Sequence, residues 1–185
     1  MNLITLREFT TVWYGATPYG NEPYTVHLDE VRAVLRRFGF GEAVRSRDTG
    51  HSFEYLHIAA ELHDLFEDTQ ISPGYVIGLG VNVSAVAIAL LVTDEKAPTR
   101  RERKLKTYQN IRFCDHALII KLADRIANVE RGEKNDMYRK EHADFKNNLY
   151  REPIGDLPEQ EVKIQRMWDH LDELLMPVEV ASPIV

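Results

Sequence analysis

A histidine and three carboxylates fall within the six residues His63-Asp64-Leu65-Phe66-Glu67-Asp68, just after the small, apolar stretch Ile58-Ala59-Ala60. If this segment is helical, neighbouring side chains stand about 100° apart, so His63 and Asp64 both reach one ion placed over the edge between them. Residues four apart share a helix face, which sets Glu67 below His63 and Asp68 below Asp64. Two carboxylates beside an ion, without binding it, are candidate general bases. For the dipeptide alone, an amphipathic helix with a solvated acidic end is the better explanation of the pattern.

Two further segments supply partners. Asp124 sits in Lys121-Leu122-Ala123-Asp124-Arg125, with Asn128 one turn on along the same face, and His27 follows Pro23-Tyr24 in another amphipathic stretch. Two imidazoles and two carboxylates from three helices make a mixed nitrogen and oxygen set, which suits one mid-row divalent ion such as manganese better than calcium. With Cys114 as the sole cysteine, there is neither a thiolate cluster nor an internal disulfide, and a reducing compartment is expected.

The elements that must carry these residues read as helices. Leu28, Val31, Val34, Leu35 and Phe38 form one apolar stripe, begun near Thr25 and closed by Gly39. A second helix is expected from Ser52 to Phe66, so that His63 and Asp64 fall late within it. Ser72-Pro73 offers a cap with proline in the first helical position, and a short apolar helix follows Ser84. Thr99-Arg100-Arg101-Glu102 has the spacing of a capping box, which would open a helix on the basic cluster Arg100, Arg101, Arg103, Lys104 and Lys106. That cluster is either an anion site or a solvated helix face. Asp115 is placed to cap a helix striped by Leu118, Ile119, Leu122, Ile126 and Val129 and stopped by Gly132. Two more helices are expected from Asn135 to Tyr150 and from Pro158 to Met176, with an irregular tail after Pro177. No segment alternates clearly enough to be read as a strand.

The 185 residues, 44% of them hydrophobic, fit one domain over 1–185. Acidic residues outnumber Lys and Arg 29 to 23, for a net charge of −6, which argues against a grip on polymeric nucleic acid. The longest apolar run, Ala85 to Val92, falls far short of the roughly 20 residues a membrane span needs. No signal-like start is visible either, so no membrane association and a cytoplasmic location are expected.

In order and spacing, Pro23-Tyr24-Thr25-Val26-His27, the HDLFEDT run from His63 to Thr69, LLVTDEK from Leu90 to Lys96 and IKLADRIAN from Ile120 to Asn128 resemble the hydrolase domain of RelA/SpoT proteins. They look closest to the small stand-alone alarmone hydrolases, including the metazoan SpoT-like kind. The resemblance implies an all-α, compact HD-domain helical bundle holding one Mn2+ through His27, His63, Asp64 and Asp124. It implies that Glu67 and Asp68 position and activate the attacking water and that Asn128 contacts the nucleotide. The implied reaction is hydrolysis of ppGpp or a close analogue at the 3′ position, releasing pyrophosphate and a 5′ nucleotide. Because two carboxylates would repel such a substrate, cations must lie nearby, and Arg125, Lys96 and the cluster containing Arg103 are those available. No synthetase domain or regulatory tail is expected.

The chain departs from that family before the Pro-Tyr pair. Between Val12 and Glu22 the basic residues that family members carry, one of which stacks on guanine, are missing. Tyr19 or Tyr14 is left to offer a neutral stacking surface, unless these aromatics only pack the first helix. The substrate is therefore ppGpp, its adenine counterpart or another phosphorylated nucleotide such as NADPH. The competing readings are an HD-type nucleotidase and a nucleotide-binding module without turnover.

Overall fold

The computed structural model describes residues 1–46, 50–152 and 158–176. The chain runs through α1 (Leu3–Tyr14), a hairpin of β1 (Pro18–Tyr19) and β2 (Glu22–Pro23), α2 (Tyr24–Arg37), α3 (Glu54–Leu62), α4 (Leu65–Asp68), α5 (Pro73–Gly78), α6 (Val83–Val92), α7 (Arg100–Ile111), α8 (Asp115–Arg131), α9 (Asn135–Leu149) and α10 (Glu159–Leu175). This is the expected all-α bundle. Among the described residues no helix is long and apolar enough to cross a membrane.

The bundle is organised around α8. Its residues from Ala117 to Ala123 are buried without interruption, as are Ile126, Ala127 and Val129 beyond them. A helix apolar on nearly every side must be surrounded, and α2, α3, α6, α7, α9 and α10 all pack on it. On α2 the buried stripe of Leu28, Val31, Val34 and Leu35 seals that helix against the bundle. This docking carries His27, at the start of α2, toward Asp124, past the middle of α8.

The local signals acted largely as expected. In the capping box, Thr99 Oγ1 accepts from the Glu102 N–H at 3.2 Å while Glu102 Oε2 accepts from the Thr99 N–H at 3.0 Å. Gly132 ends α8 at φ 86 and Gly39 follows α2 at φ 88, left-handed positions that suit glycine. The Ser72 side chain caps α5.

Four differences have physical causes. The helix expected from Ser52 to Phe66 stops at Leu62 and resumes at Leu65. The Ala60 carbonyl, which a continuous helix would offer to the Asp64 N–H, instead faces His63 Nδ1 at 2.8 Å, a side chain competing with the backbone ladder. Cap assignments also shift: Asn82 rather than Ser84 opens α6, and Asp115 is the first residue of α8, preceded by Cys114 in extended backbone. An anionic first turn still complements the helix dipole, and Asp115 pairs with Arg151 at 2.8 Å. The hairpin was not anticipated because its strands have only two residues each. It turns at Gly20-Asn21, with Gly20 at φ 62, the place a type II′ turn reserves for glycine. A Cβ on Gly20 would also meet Glu133 Oε1 at 2.7 Å. Finally, α1 had no assigned stripe; the Asn2 side chain caps it. The tail after Pro177 lies outside the described residues.

One buried charge ties together the helices that carry the site. Glu61, fully buried on α3, accepts from Arg7 Nη2 at 2.6 Å, Arg32 Nη1 at 3.0 Å and Thr10 Oγ1 at 3.2 Å. It thus joins α1 and α2 to the helix that ends in His63. Removing one member of a buried ion network leaves the rest uncompensated, at a cost of about 3–5 kcal/mol. Glu61→Ala is therefore expected to lower the free energy of unfolding by that amount, read as a fall in the denaturant midpoint at an unchanged slope. A variant unfolding at the wild-type midpoint would show that the clamp contributes no stability.

Candidate active site

His27 Nε2 and His63 Nε2 lie 3.3 Å apart, and the carboxylates of Asp64 and Asp124 close on both. Asp64 Oδ2 is 3.0 Å from His63 Nε2 and 3.7 Å from His27 Nε2. Asp124 Oδ1 is 3.3 Å from His27 Nε2 and 3.8 Å from His63 Nε2. Donors bound at about 2.0–2.2 Å to one ion stand roughly 3.0–3.6 Å from one another; His27, His63 and Asp64 offer ligand atoms that all lie within 4.8 Å of one another, and Asp124 approaches this trio from the side of His27. Without a cation, such a concentration of buried lone pairs would repel.

Local structure aims these donors. The break between α3 and α4 leaves Asp64 at φ −106, ψ −5, the sparsely populated bridge region. Its carbonyl accepts from the N–H groups of Glu67 and Asp68 at 3.1 and 2.9 Å, so α4 hangs from the ligand residue itself. Because His63 Nδ1 donates to Ala60, its Nε2 lone pair faces the cluster. Burial by itself would lower the His63 pKa, yet the Asp64 and Asp124 carboxylates hold it well above its ordinary value. The field at that point thus favours a positive charge, whether a proton or a metal ion. Asp124, despite its burial, is kept well below the usual carboxylate range by Lys121 and the two histidines; Lys121 Nζ donates to Asp124 Oδ2 at 3.1 Å.

His27, Asp64 and Asp124 form one wall of a cavity of about 360 Å³ that also takes in Glu67, Asp68, Asp94 and several cations. Glu67 Oε2 accepts from the Asp94 N–H at 3.2 Å, which fixes one carboxylate of the acidic pair. Burial first, then the charges of Asp64 and Glu67, push the Asp68 carboxyl up to about 6. Its side chain nevertheless opens to the cavity, so it is both crowded by charge and accessible.

Not every residue expected here lies here. Arg125 is buried with its guanidinium over Phe145 at 4.3 Å and Tyr138 at 5.0 Å, and it donates to the Tyr138 carbonyl at 3.1 Å. Next to Asp124 on α8, it points about 100° away, into the contact with α9. Lys96 is exposed and does not line the cavity. Arg103 does line it. Asn128 lines it too, but its amide is committed, donating to Asp124 Oδ1 at 2.6 Å and accepting from the Tyr19 hydroxyl at 3.1 Å. The Tyr19 ring packs on His27 with centroids 4.6 Å apart and under the Arg131 guanidinium at 4.2 Å. Its ring is thus in contact with the chain itself, and Tyr19 also lines the cavity.

Sequence reasoning passed over Lys121, Arg131 and Lys134, which also line the cavity. A signal existed for two of them. Lys121, Asp124, Asn128 and Arg131 recur at helical spacing along one stripe of α8, so the position of Asp124 implies theirs. Lys134 follows Gly132 outside any helix and had no such signal.

A helical bundle thus gathers two histidines and two aspartates from α2, α8 and the α3–α4 break. Among the solved structures similar to it are two of comparable length. One is a metazoan ortholog of SpoT that hydrolyses ppGpp and plays a role in starvation responses. It is 22% identical, with 94% of this chain and 96% of that chain covered and a TM-score of 0.66. The other is a protein of Listeria monocytogenes EGD-e, 20% identical, with 85% of this chain and 100% of that chain covered and a TM-score of 0.59. At these identities the likeness is one of fold. No protein-family model matches the sequence, and no curated protein matches it.

Proposed function

We propose that this chain is a metal-dependent phosphohydrolase that cleaves ppGpp or a close analogue at the 3′ position, releasing pyrophosphate and a 5′ nucleotide. The observation that carries the reading is the trio of His27, His63 and Asp64, whose ligand atoms all lie within 4.8 Å of one another, with Asp124 Oδ1 3.3 Å from His27 Nε2, beside the acidic pair Glu67 and Asp68. The likeness of fold to a SpoT ortholog supports the choice of substrate.

In this reading the four donors hold one divalent ion, manganese by the chemistry of the donor set. When bound, the ion polarises a phosphate oxygen and lowers the pKa of a water molecule toward neutrality. The residues do the rest. Glu67 and Asp68 face the cavity where the attacking water must sit, and a carboxyl raised to about 6 accepts and returns a proton near neutral pH. Water bonds to the phosphorus attached to the ribose, the bond to the 3′ oxygen breaks, and that oxygen takes up a proton.

Arg103 and Lys134 line the cavity and offset the charge of the incoming phosphates. The remaining lining cations are already paired: Arg100 with Glu141, Lys104 with Asp94, Lys121 with Asp124 and Arg131 with Glu22, Glu30 and Glu133. A small nucleotide is the partner, in the cytoplasm.

The test is a substrate panel. Purified protein with Mn2+ is given ppGpp, ppApp, NADPH and a deoxynucleoside monophosphate, and pyrophosphate and free phosphate are measured separately. Pyrophosphate from ppGpp or ppApp is expected. Free phosphate alone, from NADPH or the monophosphate, would replace the proposal with a phosphatase, and tight nucleotide binding without turnover would replace it with a binding module.

A further inference from the structure

We propose that Tyr19 and Tyr24, on either side of the β1–β2 turn, are positioning residues that brace the metal-binding donors; this rests on the metal-site reading above. The hairpin and the first residue of α2 touch the donor set at several points. Tyr24 donates its hydroxyl proton to Asp64 Oδ2, the oxygen that also faces His63 Nε2 at 3.0 Å. A carboxylate oxygen has two lone pairs, so one holds the phenol while the other remains for an ion. Tyr19 reaches Asp124 through an intermediary. Its hydroxyl donates to Asn128 Oδ1 at 3.1 Å, and Asn128 Nδ2 donates to Asp124 Oδ1 at 2.6 Å.

His27 is braced by the rings rather than by a hydrogen bond. Imidazole ligands are usually oriented through the nitrogen that does not bind the ion. Among the described residues, however, His27 Nδ1 is buried with no partner. The Tyr19 ring lies 4.6 Å from the imidazole and the Tyr24 ring 5.5 Å from it, nearly edge-on. Those contacts are what fix its tilt.

The brace is anchored on both sides. Tyr24 stacks on Tyr14 of α1 with centroids 4.5 Å apart. Arg131 of α8 lies over the Tyr19 ring and donates to the Tyr19 carbonyl at 3.2 Å. The turn at Gly20 brings the two tyrosine rings within 6.0 Å of each other. The hairpin and the first residue of α2 thus contact His27 directly, Asp64 through a hydroxyl and Asp124 through Asn128.

The experiment is calorimetric titration of Mn2+ into the metal-free full chain, with the thermal midpoint of the metal-free protein measured beside it. Phenylalanine keeps each ring and removes each hydroxyl. Tyr24→Phe is expected to weaken Mn2+ binding by about 10-fold or more and Tyr19→Phe by roughly a few-fold, with metal-free midpoints near wild type. Wild-type affinity in both variants overturns the proposal, and so does a lowered metal-free midpoint with unchanged affinity, which marks a purely structural role. If Tyr24→Phe fails to fold, Tyr19→Phe and Asn128→Ala test the same chain of contacts on the Asp124 side. A wild-type protein that binds no Mn2+ would instead remove the metal site on which the brace depends, so the two failures are distinct.

Discussion

Asp124→Ala is expected to lose both Mn2+ binding and hydrolysis, with turnover down by about 1,000-fold or more, equivalent to roughly 4 kcal/mol of transition-state stabilisation. The size follows from geometry. Asp124 Oδ1 stands within 3.3 and 3.8 Å of the two imidazole Nε2 atoms, and no other carboxylate on α8 lies close enough to replace it. The substitution also strips the buried Lys121 ammonium of its partner at 3.1 Å, so the variant should be less stable. Asp124→Asn keeps the shape and separates the two effects: it retains an oxygen near Lys121 but removes the anionic charge. Calorimetry, metal content after gel filtration and turnover of ppGpp together check the prediction. Retained Mn2+ affinity in both variants would exclude Asp124 from the ion-binding set.

Asp68→Asn should behave differently. Mn2+ affinity is expected to stay close to wild type while hydrolysis slows by about 100-fold or more, the usual scale for loss of a positioned acid-base group. The amide keeps the shape of the carboxyl but cannot take the proton of the attacking water. The pH profile sharpens the test. Crowding by burial, Asp64 and Glu67 raises the Asp68 carboxyl to about 6. A protonated base is inactive, so the wild-type rate should fall toward acid pH, with a midpoint below 6 in the Mn2+-loaded enzyme because a bound ion offsets the Asp64 charge that raises this carboxyl. In Asp68→Asn that acid-side fall should flatten. An unchanged rate, or an unchanged acid limb at a lowered rate, would remove Asp68 from the proton transfer.

Legibility differed between backbone and side chains. The helices were readable because burial on one side of a helix imposes a 3.6-residue period, and α2, α9 and α10 lie close to their expected ranges. The break before Leu65 was not readable, since it depends on His63 Nδ1 finding the Ala60 carbonyl, a contact that no periodicity encodes. Arg125 and Lys96 looked like plausible cations from their place beside motif residues. One is turned into the ring cluster of Tyr138 and Phe145, while the other stays outside the cavity.

Residue identity and order therefore specified the kind of chemistry: a nitrogen and oxygen donor set with neighbouring acids, carried on helices whose apolar stripes were visible. Whether those donors meet was decided by packing, because the burial of α8 on nearly every side is what draws α2 and α3 to within bonding range of Asp124. Packing likewise decided that Tyr19 lies against His27 and Arg131. Spacing along a chain limits which side chains share a face, but distances between helices are set by the sum of many weak contacts, and these exist only once the chain has folded.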